Sequence, residues 1–107
     1  MKRSIVTKFE DISAFSGLPA EHRHHLCFGS GIRPLAENDG LWIPLLAREH
    51  NIGSPTECIH GNPAAEHLSR MAGQLAWEKE QYRKAIMHND EDPAREAFMK
   101  RYGVSYL

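Results

Sequence analysis

Six of the seven histidines in this 107-residue chain fall between residues 22 and 67, and two of them, His24 and His25, are adjacent. His22, His50, His60 and His67 complete the group, and His88 stands apart. Histidine titrates near neutrality and is the commonest metal ligand. A chain this short buries only a small core, so a bound ion could supply much of its folding free energy. The histidines therefore narrow the choice of folds more than any other feature. Taken singly, each reads as a surface residue or a satisfied core residue. Taken as a cluster, and above all as a doublet, they read as a site for a metal and a proton acceptor together.

The rest of the composition is that of an ordinary globular domain, 41% hydrophobic and 25% charged. A net charge of −1 gives no general attraction to phosphates, so contact with nucleic acid must come from local patches. Lys2, Arg3 and Lys8 form one such patch, and Lys100 and Arg101 another. Cys27 and Cys58 make no CxxC pair and read as free thiols in a reducing compartment. No apolar run reaches the length of a membrane span, and the basic start lacks an apolar segment behind it. These features predict a cytoplasmic protein.

Residues 1–12 read as an arm or a short strand, and Gly17 and Pro19 mark residues 13–20 as a turn. A short strand is expected from His24 to Phe28. Alternation in a strand would send the imidazoles of His24 and His25 to opposite faces, so that the two would do different work. Residues 34–39 read as a helical turn ending near Gly40. The stretch Leu41–Leu46 reads as a second strand, with Pro44 marking an edge strand or a strand end. A short helix could start over Ala47–Asn51, and residues 52–61 read as a loop. Asn62-Pro63 is a helix start, and an apolar stripe of Leu68, Met71, Leu75, Tyr82 and Ile86 carries a long helix to about residue 87. The stripe reads as core or as a dimer seam. Gly73 interrupts the helix and invites another element to approach. Asp92-Pro93 opens a last helix that Gly103 ends. Trp42 and Trp77 read as core residues.

The order of parts is that of a ββα-metal hairpin: a histidine doublet on one strand, a turn, a second strand, then a histidine at the start of a helical segment. At this point a resemblance becomes specific. His24-His25-Leu26-Cys27-Phe28-Gly29, Arg33, Leu35-Ala36-Glu37, Asp39-Gly40-Leu41, Pro44-Leu45 and Glu49-His50-Asn51 together resemble the HNH endonuclease motif. More narrowly, they are similar to small phage-borne HNH proteins related to the RecA-dependent recombination-enhancement nuclease. His60-Gly61, Gly73-Gln74-Leu75-Ala76-Trp77-Glu78 and the ending from Phe98 to Leu107 add to the likeness, which covers residues 13 to 107.

The resemblance implies an α+β fold: a small ββα-metal hairpin followed by a long helix and a C-terminal helix. Residues 13–107 would form one domain and residues 1–12 an arm. It implies a metal-dependent DNA endonuclease of phage or mobile-element origin that uses a divalent ion, magnesium, manganese or zinc. His24 and His50 would be ligands and His25 the general base. His60 is the first choice for a third ligand and His67 the reserve. Asn51 would orient a phosphate or the base. DNA is the expected partner, with recombination proteins and a second copy of the chain as further candidates. Arg23, Arg33 and Arg70 are the basic residues nearest the cluster. His22 and His88 are assigned to the surface.

The chain also departs from that family. Where many relatives carry two CxxC pairs around a structural zinc, this chain has Ser13-Ala14-Phe15-Ser16 and Leu46-Ala47-Arg48-Glu49, so no separate zinc of that kind is expected. Gly40 or Leu41 falls where the family's middle asparagine would be. These losses support an alternative: a catalytically degenerate HNH-like module that binds DNA or a partner protein, as a recombination accessory or an inhibitor. A third reading is a small helical interaction domain with no metal at all.

Overall fold

Two short strands pair near the middle of the chain, and everything else is arranged about them. In this computed structural model, which describes residues 2–88 and 93–107, β1 (His22–His25) lies antiparallel to β2 (Trp42–Leu45). The register sets His22 opposite Leu45, Arg23 opposite Pro44, His24 opposite Ile43 and His25 opposite Trp42. Directly opposed residues share a face of the ribbon. His22 and His24 therefore stand with Leu45 and Ile43, and Arg23 and His25 with Pro44 and Trp42. A ribbon of only two strands has no inner position, so Pro44 is tolerated as expected. β1 starts two residues earlier than the sequence suggests and ends at His25, where Leu26–Phe28 leave the ribbon to pack.

Helix α1 (Arg33–Asp39) connects the strands, with a proline in its first turn. Gly40 ends it at φ +72°, a left-handed conformation that favours glycine. It is also a point of close approach, since a Cβ there would run into the carbonyl oxygen of Arg3. The N-terminal arm passes here, with Ile5 N–H donating to the Gly40 carbonyl at 2.9 Å. Among its described residues it has no strand of its own beyond one bridge between Ile12 and Pro19.

Helix α2 (Ala47–His50) follows β2 directly, and α3 (Pro63–His88) follows the loop. Asn62 opens α3 as its sequence predicts, its Oδ1 accepting from Ala65 N–H at 3.2 Å. Helix α4 (Ala94–Tyr102) runs to Gly103. The start signal at Asp92 and the side chains of Ile86 and His88 fall outside what is described.

Leu68, Leu75 and Tyr82, from the stripe read as core or as a dimer seam, face outward, against the first of those readings. Leu68, Leu75 and Tyr82 are 65%, 53% and 64% exposed. The inner face of α3 carries Ser69, Gly73 and Gln74, polar or small residues that a hydrophobic pattern does not pick out, together with Trp77. Gly73 is the contact point. A Cβ there would come within 2.7 Å of Cys27 Sγ and 3.0 Å of Leu26 Cβ. One core cluster (Cys27, Ala36, Leu41, Phe98, Tyr102) is joined by Trp77 from α3. A second (Leu26, Ile43, Leu45, Ile59) lies on the His24 face of the ribbon. Trp42 is almost fully buried, and both cysteines are buried and free. Among the described residues no helix is long and apolar enough to cross a membrane.

Candidate metal centre

His24 comes from β1, His50 from the last residue of α2, and His60 from the loop before α3. Among the described residues these three are the group able to hold an ion, with one ligand atom of each within 4.8 Å of the others. Their ring centroids are 5.1 Å apart for His24 and His50, 5.2 Å for His24 and His60, and 4.9 Å for His50 and His60.

Local interactions bring each ring in. Glu49 pins the start of α2, its Oε1 accepting from Leu46 N–H at 2.8 Å and from Ser13 Oγ–H at 2.6 Å. Burial alone would push the Glu49 carboxyl up, but hydrogen bonds from Ser13, Leu46 N–H and Ser16 outweigh it and hold the group ionised. The loop returns to α2 through two backbone bonds, Ile59 N–H to Glu49 O at 2.9 Å and His60 N–H to His50 O at 3.0 Å. His60 is thereby locked beside His50.

Hydrogen bonding fixes the tautomers of two rings. The single hydroxyl hydrogen of Ser69 goes to the Leu26 carbonyl at 2.8 Å. Ser69 Oγ must then accept from His24 Nε2–H, also at 2.8 Å. The lone pair of His24 is left on Nδ1, which is buried and has no hydrogen-bond partner among the described residues. His60 Nδ1 lies 3.2 Å from Glu66 Oε2; an ionised carboxylate only accepts, so His60 donates from Nδ1 and carries its lone pair on Nε2.

The electrostatics agree. Burial, with repulsion from His50, His60 and His25, pushes His24 down to about 3. Burial and repulsion from His60, His22, His25 and Arg33 push His50 down to about 4. Both rings are neutral near pH 7 and need shed no proton to bind an ion. A buried, unpartnered imidazole lone pair beside two other imidazoles is a donor set that fits a metal. All-nitrogen donors suit zinc or a similar transition ion; magnesium prefers oxygen, so the donor set weighs against it.

His67 does not join this group. It lies two residues from Ser69 on α3, about 200° around the helix, and is exposed. Asn51 is exposed at the C-cap of α2, its backbone N–H closing the helix on the Ala47 carbonyl at 3.1 Å. His25 turns to the other face of the ribbon, as alternation requires. It is 7% exposed, and its Nε2 is hydrogen-bonded to Glu37 on α1. That bond pulls the Glu37 carboxyl below its usual range against the effect of burial, helped by the charges of Arg23 and Arg33.

Arg23, His25, Arg33, Pro34 and Glu37 line a cavity of about 460 Å³. The Arg23 guanidinium lies 3.6 Å over the Trp42 ring, and its Nη1 sits 3.8 Å from Glu37 Oε1. That buried Nη1 has no hydrogen-bond partner among the described residues. Arg70 lies 4.0 Å over Phe28, which itself packs against His60.

Four residues were missed from sequence. His22, assigned to the surface, has its Nδ1 3.0 Å from His50 Nδ1. The alternation that separates His24 from His25 also places His22 on the His24 face. Glu66 and Ser69 are three apart on α3 and so share a side. Glu37 lies within the motif residues, but its pairing with His25 depends on how α1 folds back. Comparison with protein-family models, curated proteins and solved structures yields no match.

Proposed function

We propose that this chain is a metal-dependent DNA endonuclease of the ββα-metal, HNH-like kind, with His25 as its general base. One observation carries the reading. Three histidines expected to be ligands meet at one point, while the adjacent His25 faces a separate cavity with a carboxylate and two arginines.

His24, His50 and His60 would hold the ion, with zinc the best fit to an all-imidazole set. The ion would supply Lewis acidity to a phosphate oxygen that reaches it. The remaining work falls to the chain's own side chains. Glu37 accepts the Nε2–H of His25, which orients the ring and leaves its lone pair on Nδ1 to take a proton from water. Arg23 and Arg33 present guanidinium groups beside that base, suited to the oxygens of a phosphodiester. Stacking on Trp42 holds the Arg23 plane fixed.

A second point supports the family reading. The positions aligned with the relatives' cysteine pairs meet around Glu49. Ser13 and Leu46 both donate to its carboxylate, and Ser16 N–H donates to Ser13 Oγ at 3.1 Å. A hydrogen-bonded knot would here do the work of a structural zinc.

The alternative of a binding module without chemistry draws on the net charge of −1, weak for a DNA-cutting protein. Plasmid cleavage with zinc, manganese and magnesium in turn separates the two. The nuclease reading expects cutting that His25→Ala abolishes while zinc binding survives. An intact plasmid with every ion, in protein that binds zinc, would leave the binding module standing.

A further inference from the structure

The three candidate ligands differ in what holds their second nitrogen. His24 gives its Nε2–H to Ser69, and His60 gives its Nδ1–H to Glu66. The ring-nitrogen partner of His50 is another imidazole, His22, with the two Nδ1 atoms 3.0 Å apart and the rings edge to face. Two such nitrogens share one proton. Were it on His22, it would occupy the lone pair of His50 Nδ1, and His50 Nε2 would carry the other hydrogen. His50 would then have nothing to offer an ion. With the proton on His50, Nε2 is bare and His22 is the acceptor.

We propose that His22 is a positioning residue of the metal centre, accepting the Nδ1–H of His50 and so committing His50 to bind through Nε2. The inference rests on the metal-centre half of the proposed function and holds whether or not the chain cuts DNA. It completes a pattern in which every ligand ring is held from behind, by a serine, a glutamate and a histidine. Outer partners of this kind fix ring orientation and tautomer. His22 stands beside the group of mutually close ligand atoms and is not a member of it. The backbone holds it there. Glu21, the preceding residue, accepts Ala47 N–H at 3.0 Å and donates its own N–H to the Leu45 carbonyl at 3.0 Å. The start of α2 is thus fastened to the start of β1, and the two rings are carried together.

The zinc-loaded wild-type protein gives a direct test by long-range proton–nitrogen NMR of its imidazoles. We expect a protonated Nδ1 on His50, zinc on its Nε2, and an unprotonated Nδ1 on His22. Zinc on His50 Nδ1 or on either nitrogen of His22 would overturn the assignment. Chelator competition supplies the second readout. His22→Ala is expected to weaken zinc about 10- to 100-fold, and His22→Gln, whose carbonyl can accept the same hydrogen, to recover most of the loss. The cobalt-substituted Ala variant should keep the band energies of the wild type, because no ligand is lost. Unchanged zinc affinity in that variant, or a cobalt spectrum reporting a lost nitrogen, refutes the positioning role. Wild-type protein that takes up no zinc would overturn the metal centre itself, and this inference with it.

Discussion

Ser69→Ala tests the centre from behind. Ser69 is 5% exposed and serves two buried groups, the Nε2–H of His24 and the carbonyl of Leu26, both at 2.8 Å. His24 is fully buried, so water does not replace the lost hydroxyl. A buried polar group left without a partner costs about 1–3 kcal/mol. Two such groups are orphaned here. Alanine returns about half a kcal/mol of helix propensity. The net destabilisation of the metal-free protein is therefore roughly 1.5–5.5 kcal/mol, a large part of what a domain of this size has to spare. Release of His24 also unlocks its tautomer, and zinc affinity should fall about 10- to 100-fold. Urea unfolding in the presence of chelator gives the first quantity and chelator competition the second. Leu68→Ala, one residue away and exposed, should change neither measurably and serves as the control. If Ser69→Ala unfolds at the wild-type urea concentration and binds zinc as tightly, the tautomer argument is wrong.

Three further outcomes are expected. Gly73→Ala should destabilise by about 1–2 kcal/mol by urea unfolding, because a Cβ 2.7 Å from the buried Cys27 sulfur overpacks the contact by more than the propensity gain; a stabilised variant would contradict that contact. Acidification should weaken the metal-free protein. His24 and His50 have folded-state pKa values depressed to about 3 and about 4, so their contribution is fully present above pH 6.5 and is lost progressively below it, at about 1.4 kcal/mol per pH unit for His24 and less for the half-exposed His50; a urea midpoint flat from pH 7 to 4.5 would refute this. Asp39→Asn should cost roughly 2–3 kcal/mol and loosen α4, measured by hydrogen exchange at its amides, since Asp39 accepts from Trp77 Nε1–H at 3.0 Å, Arg101 Nε–H at 2.7 Å and Tyr102 O–H at 2.6 Å; unaltered exchange would show the anchor to be dispensable.

Local signals in the sequence located the elements well. The Asn62-Pro63 start, the Gly40 and Gly103 stops and the alternation through His24-His25 are written in neighbouring residues, and each stands where expected. The α+β class with a two-stranded antiparallel hairpin followed by helices was legible for that reason. Matters depending on distant partners were less so. His60 sits in a loop without period, and the backbone bonds that Ile59 and His60 make to α2 bring it to the site. His67 was a reasonable reserve by composition and is excluded by its side of α3. Leu68, Leu75 and Tyr82 face outward, against the core reading and not against the dimer seam, because a hydrophobic pattern marks apolar residues without saying what covers them. Here the inner face sets beside Trp77 a glycine, a serine and a glutamine whose value lies in closeness and hydrogen bonding.

The ribbon's two faces make the molecule sensitive to parity. Its odd and even residues have separate duties: His22 and His24 on one side, Arg23 and His25 on the other. Inserting or deleting one residue in β1 would exchange the sides, setting an arginine among the would-be ligands and a ligand beside Glu37. A change of two residues would preserve the sides. Length in this strand should thus be constrained in steps of two, more tightly than the identity of any single residue outside the histidines.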